Sequence, residues 1–182
     1  MNYKIRLIEP KDSNQIEEII LKVSEEYGTY DPKSRSGAGA GAGDPGLKDI
    51  YSTYKNKGSK YWVIEDETGK IIGGGGYTRL KGTTEDERIC EMQKLFVLPE
   101  ARGKNLGKKL VELFLNEAAQ DGYKEMYLET VKQMKEAIKL YEKYGFKHLS
   151  GSKGSTGHFQ CSVFMTKELN ITTRAERNQY EG

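Results

Sequence analysis

The chain reads as one α/β domain, a single mixed and largely antiparallel twisted sheet with helices on both faces. Three observations carry that reading. Stretches of two-residue periodicity alternate with stretches of helical periodicity, antiparallel hairpin first and strand–helix–strand crossover later. Residues 90–110 run as strand, tight turn and helix start, as a crossover connection requires. The 182 residues are enough for one sizeable core, and no repeat or second domain is visible.

Tyr3, Ile5 and Leu7 alternate with Lys4 and Arg6 and form a first strand that ends at Pro10. Asp12 is expected to cap the next helix, with Gln15 at the capping-box position and Ile16, Ile19, Ile20, Val23 and Tyr27 as its buried stripe. Gly28 is placed to stop it. Residues 29–43 contain GAGAGAG and little that packs, so they read as a flexible loop, either a plain insertion or a mobile cover over a substrate site. Asp44-Pro45 restarts helix, with Leu47, Ile50, Tyr51 and Tyr54 on its apolar face. Lys60–Glu65 and Lys70–Thr78 form a hairpin around Asp66-Glu67-Thr68-Gly69. Its second arm carries Gly73–Gly76, a run that marks a bulge or a close approach.

A strand over 88–97, a helix to about Asp121, a strand over Tyr123–Thr130 and a helix over Lys135–Tyr144 follow. Phe146–Leu149 and His158–Thr166 supply the last strands, so the domain runs over 1–169 and a polar tail over 170–182. The net charge of +2, from 29 basic and 27 acidic residues, argues against bulk attraction to nucleic acid or membrane. No apolar run approaches the roughly 20 residues that span a bilayer, and the N-terminus lacks a signal pattern. Cys90 and Cys161 sit in strand-like segments without metal-ligand spacing. Core thiols in a cytoplasmic protein, without a disulfide or a metal site, are the expected reading.

The 102–109 turn carries the first chemistry. A helix N-terminus presents unpaired N–H groups and a partial positive charge, which suits an anion such as a pyrophosphate. Arg102, Lys104, Lys108 and Lys109 add full charges, and Gly103 and Gly107 allow close approach and positive φ. A Walker loop fails on spacing, since Gly103 and Gly107 enclose three residues and Lys109 stands where Ser or Thr belongs. Neither Gly73–Gly76 nor Gly37–Gly43 has the βαβ context of a dinucleotide fingerprint.

Arg102-Gly103-Lys104-Asn105-Leu106-Gly107 resembles the Q/R-x-x-G-x-G/A signature of the GCN5-related N-acetyltransferase (GNAT) family, with Asn105 at the middle glycine. Asparagine tolerates left-handed geometry best among non-glycine residues. Ala137–Phe146 is similar to the family's A-x-x-L-Y-x-x-x-G-F. The resemblance spans residues 3–168 and implies a cytoplasmic N-acetyltransferase that moves an acetyl group from acetyl-CoA to a primary amine by direct attack in a ternary complex. It implies that Arg102, Gly103, Lys104, Asn105, Leu106, Gly107 and Lys108 hold the pyrophosphate and that backbone at Phe96 and Val97 pairs with the pantetheine arm. Glu91, eleven positions before Arg102, is then the expected base, directly or through water, and Tyr141 the acid for the departing thiolate. Glu129 is a weaker candidate for holding the amine. Many family members pair through their late strands, so a homodimer is an open expectation.

His158 and Cys161 suggest a nucleophile pair, but three positions apart on a strand they point to opposite faces. The acceptor pocket is expected between residues 29–49, the 73–79 strand and the 150–160 loop, without a legible code for its substrate. Two other readings stay open on sequence alone: a non-catalytic acyl-CoA-binding or regulatory protein of the same fold, and an interaction scaffold with no affinity for CoA.

Overall fold

The structure, a computed structural model, describes residues 2–34, 36–37, 41–158 and 161–170. Strand β1 (Tyr3–Leu7) leads through a 3₁₀ turn at Pro10–Asp12 into α1 (Ser13–Glu26). The expected stripe of α1 is buried at Ile16, Ile19, Ile20 and Val23. The helix stops where Gly28 turns left-handed at φ 67°. Asp12 does not cap it. Its carboxylate instead grips the Arg6 guanidinium at 2.7 and 2.9 Å and accepts the Glu9 amide, because a buried carboxylate is better served by a cation than by a helix end. Gln15 likewise leaves its capping-box role and accepts the Ile71 amide.

Within the expected flexible loop, β2 (Tyr30–Asp31) and β3 (Ser36–Gly37) pair antiparallel. Residues 35 and 38–40 of that loop lie outside the described residues, as does the tail from 171 onward. Asp44 accepts the Gly46 amide at 2.7 Å and starts a 3₁₀ turn over Pro45–Asp49, and α2 is the single turn Ile50–Thr53. β4 (Lys60–Asp66), β5 (Ile71–Arg79) and β6 (Ile89–Val97) follow, then α3 (Leu106–Gln120), β7 (Glu125–Thr130), α4 (Lys135–Lys143), β8 (Lys147–Leu149) and β9 (Val163–Glu168).

The seven-stranded sheet has the order β1-β4-β5-β6-β7-β9-β8, and among the described residues only β6–β7 is parallel. The last strand begins at Val163, not at His158; residues 152–158 and 161–162 form loop instead. Neighbouring glycines of β5 show where the helices lie. A Cβ on Gly74 would meet Ile16 of α1, and one on Gly75 would meet Phe114 of α3. Successive strand residues point to opposite faces, so α1 and α3 cover opposite faces of the sheet.

Two irregularities interrupt the ladders of β6. Gly74 pairs with Phe96 but Gly76 pairs with Gln93, so β6 carries one extra residue, and Lys94 sits there at φ 51°. The glycine run gives the bulge room: a Cβ on Gly75 would stand 3.0 Å from Leu95 Cα. The parallel pairing of β6 with β7 ends at Met92–Leu128, although β6 continues to Val97 and β7 to Thr130. The two strands part beyond that pair. Trp62 stacks on Phe114 at 5.4 Å in the core beneath.

Candidate active site

Pro99 ends β6 as a ladder member, and a 3₁₀ turn over Pro99–Ala101 delivers Arg102 in extended geometry. Gly103 at φ 76° and Asn105 at φ 58°, ψ 20° then reverse the chain into α3, so Asn105 adopts the left-handed geometry expected of it. Gly107 is helical and needs no positive φ. The first bond of the α3 ladder runs from the Lys109 amide to the Asn105 carbonyl at 3.0 Å. The amides of Leu106, Gly107 and Lys108 therefore lie ahead of the ladder, and they have no acceptor among the described residues. Of the nine residues expected to hold the cofactor, Phe96, Val97, Arg102, Gly103, Asn105, Leu106, Gly107 and Lys108 line one open cleft of about 440 Å³, while Lys104 is not on its wall.

The side-chain charges are arranged differently from expectation. Arg102 turns its fork onto Glu26 at the end of α1, at 2.6 and 2.8 Å, and its Nε donates to the Val97 carbonyl. Glu26 holds the guanidinium pKa up and is itself held below the usual carboxylate range. Lys109 reaches Tyr3 Oη at 2.6 Å, and Lys108 stands 3.9 Å from Glu112. The turn offers an anion chiefly backbone N–H groups.

An inner cavity of about 70 Å³ adjoins the cleft and shares Leu95, Phe96 and Met134 with it. Tyr141, buried on α4, lines this cavity, and its hydroxyl makes no hydrogen bond to any described residue. Burial pushes its pKa up to about 12, so the phenol keeps its proton at neutral pH. Glu129 also lines the cavity.

Gln93, Lys94 and Glu129 of that wall belong to a polar cluster. Glu91 is 2% exposed and pairs with no lysine among the described residues; Gln93 Nε2 donates to its Oε2 at 2.6 Å, and Tyr54 Oη donates to Gln93 Oε1 at 2.7 Å. Glu129 Oε1 accepts Tyr127 Oη at 2.8 Å and Thr156 Oγ1 at 2.7 Å. His158 Nδ1 stands 3.3 Å from Glu91 Oε1 and 3.7 Å from Glu129 Oε2. One step away, the buried Lys94 ammonium meets Asp44 at 2.6 Å. Burial alone would raise the Asp44 pKa, but Lys94 outweighs it and holds the carboxylate low.

An outer cavity of about 310 Å³, walled by Glu129, His158, Cys161 and the small residues of 152–157, completes the series. The Cys161 amide donates to the His158 carbonyl at 3.0 Å, and both residues line this same cavity. The opposite-face argument drawn from a strand therefore does not apply to them. The β5 segment 73–79 lines none of these cavities, while Gly41 of the loop lines the inner one.

A family model described as Acetyltransferase (GNAT) family matches residues 23–146. The chain is 42% identical over 165 residues to the uncharacterized N-acetyltransferase YjgM of Escherichia coli (strain K12), covering 91% of this chain and 94% of that one. It is 34% identical over 102 residues to human N-acetyltransferase 8, covering 56% of this chain and 44% of that one. A GNAT-family acetyltransferase from Staphylococcus aureus Mu50 superposes with a TM-score of 0.76 at 22% identity, over 93% of this chain and 100% of its own. A phosphinothricin acetyltransferase from Sinorhizobium meliloti, solved in complex with AcCoA, superposes with a TM-score of 0.70 at 24% identity, over 95% and 91%.

Proposed function

The chain belongs to the acetyltransferase (GNAT) family, and on that premise we propose that it transfers the acetyl group of acetyl-CoA to a primary amine by direct attack within a ternary complex. One observation carries the reading. An open cleft, whose helix amides have no acceptor among the described residues, adjoins an inner cavity walled by Tyr141 and Glu129, and Glu91 is buried beside Glu129 across His158. Acetyl-CoA supplies a thioester, whose carbonyl is open to an amine and whose thiolate must be protonated to leave.

The amides at the start of α3 and the left-handed turn at Gly103 and Asn105 fit the pyrophosphate. The parted edge of β6 at Phe96 and Val97 leaves backbone for the pantetheine arm. A free alkylamine has a pKa near about 10.4 and arrives protonated, so it must lose a proton before it attacks. Glu91 takes that proton, directly or through a water, and Tyr141 gives its own to the leaving sulfur. Gly41 on the inner wall supports the 29–43 loop as a cover over the acceptor.

We place the protein in the cytoplasm, where two cysteines outside any disulfide, Cys90 and Cys161, are at home. No described helix is long and apolar enough to cross a membrane. A homodimer through the late strands would use the β8 edge, which sedimentation would read.

Calorimetric titration with acetyl-CoA, followed by amine-dependent release of CoA, tests the reading. Micromolar binding, about −8 kcal/mol, with turnover is expected. Binding without turnover on any amine would leave a CoA-binding protein; no binding would leave a scaffold.

A further inference from the structure

We propose that Glu91, Glu129 and His158 form a clamp for the acceptor's ammonium group, selecting aliphatic primary amines that carry no carboxylate beside the nitrogen. The inference rests on the acetyl-transfer reading above and names its substrate class.

Each carboxylate commits one oxygen and leaves the other open. Gln93 occupies Oε2 of Glu91, while Tyr127 and Thr156 occupy Oε1 of Glu129. The remaining oxygens both face His158 Nδ1, at 3.3 and 3.7 Å, and the three atoms lie within 4.8 Å of one another. The side chains are 2%, 1% and 10% exposed. His158 Nδ1 is buried and makes no hydrogen bond to any described residue, a condition that native interiors rarely leave unmet. With the ring proton on Nε2, Nδ1 is an acceptor. Two anionic oxygens and one imidazole nitrogen then converge as three acceptors, and a primary ammonium has three N–H donors. A point about 2.9 Å from all three lies to one side of their plane, where one nitrogen can face each acceptor.

The position suits transfer. Glu129 belongs to the walls of both the inner cavity, beside Tyr141, and the outer cavity, beside His158. An amine held there stands where the inner cavity, which adjoins the cofactor cleft, and the outer cavity share Glu129 and Cys161.

Exclusion follows from charge. The described walls of the outer cavity contain no lysine or arginine; they are Ser152, Ser155, Thr156, the loop glycines and Phe164 around the clamp. A carboxylate beside the nitrogen would meet Glu91 and Glu129 without a cation of its own. Lys94, the buried cation of the same strand, is already paired with Asp44.

The test is calorimetric titration of the CoA-loaded protein with n-butylamine and with its α-carboxylated counterpart, norleucine. Butylamine is expected to bind at least about tenfold more tightly, a difference of about 1.4 kcal/mol. His158→Leu should weaken butylamine about tenfold and leave acetyl-CoA affinity unchanged, while His158→Asn, whose amide oxygen can stand in for Nδ1, should restore most of it. Glu129→Gln keeps the shape and removes one charge, and the same loss is expected; it serves if His158→Leu does not fold. Equal or tighter binding of norleucine, or unchanged butylamine affinity in both variants, would overturn the clamp. Stoichiometric zinc binding that needs His158 and displaces the amine would also overturn it, in favour of a metal site. Because the readout is binding, a wild-type protein that binds butylamine but never acetylates it sinks the acetyl-transfer reading and not the clamp.

Discussion

At the α3 end the open cleft presents backbone: a contiguous stretch from Gly103 to Lys108 whose amides precede the α3 ladder, with Arg102 turned aside onto Glu26. At the Glu129 end the inner and outer cavities and the cluster beside them present side chains, drawn from residues as distant as 44, 54, 91, 129 and 158 and buried or half-buried. The difference teaches where each end is vulnerable. A site made of amides depends on φ and ψ and is indifferent to most side chains. A site made of carboxylates and an imidazole depends on the identity of each group and on the packing that brings them together.

The largest effect should come from the side-chain end. Glu91→Gln is expected to lower kcat by roughly 10²–10⁴ and to leave the Kd of acetyl-CoA unchanged; full activity would remove Glu91 as base and blur the contrast between the ends. Tyr141→Phe should cost kcat on the order of 10², again with cofactor affinity intact. Its phenol pKa is raised, so the acid form is complete below that value and is lost only as pH climbs through it. The alkaline limb of kcat should therefore owe nothing to this group until pH nears about 12. An earlier loss that the Phe variant abolishes would contradict that assignment.

The backbone end should respond to conformation instead. Asn105→Val places a β-branched residue at φ 58°, a strain of about 1–2 kcal/mol. Acetyl-CoA affinity should weaken about tenfold, with kcat at saturation unchanged, and Asn105→Gly should behave as wild type. If the valine variant binds as well as the parent, the left-handed turn is not what holds the anion. The smallest effect is expected from Glu26→Gln. It breaks a partly exposed pair with a median value of about 0–1 kcal/mol, so acetyl-CoA binding should change less than about fivefold at physiological salt. A large change would mean that the Arg102 side chain, and not the amides, carries the affinity.

Much of the fold is legible because its signals are local. The α1 stripe, the stop at Gly28, the Asp66–Gly69 hairpin turn and the left-handed Asn105 follow from spacing and from the preferences of single residues. Local reading fails where distant partners prevail over near ones. Asp12 has the sequence of a cap but pairs with Arg6 across the β1 end, and Arg102 has the charge of a phosphate ligand but pairs with Glu26. His158 reads as part of a strand because the segment up to Thr166 is rich in apolar and β-branched residues. Three glycines and three serines or threonines in 151–157 instead leave it without a ladder to join. The one local hint of the buried cluster is Gln93-Lys94, two polar residues in succession that break the alternation of β6 at its bulge.

The sequence by itself determined the order of the elements, the α/β class and the left-handed turn into α3, since each of these is written in contiguous residues and in the periodicity they impose on the backbone. Only the tertiary structure decided that Glu91, Glu129 and His158 meet, that Lys94 is neutralised by Asp44, and that Glu129 is shared by the inner and outer cavities. Those arrangements depend on the β6 bulge, the parting of β6 from β7 and the packing of the 150–158 loop across the sheet. Burial and charge pairing act between residues far apart in the chain, and no local pattern records which partners they will choose.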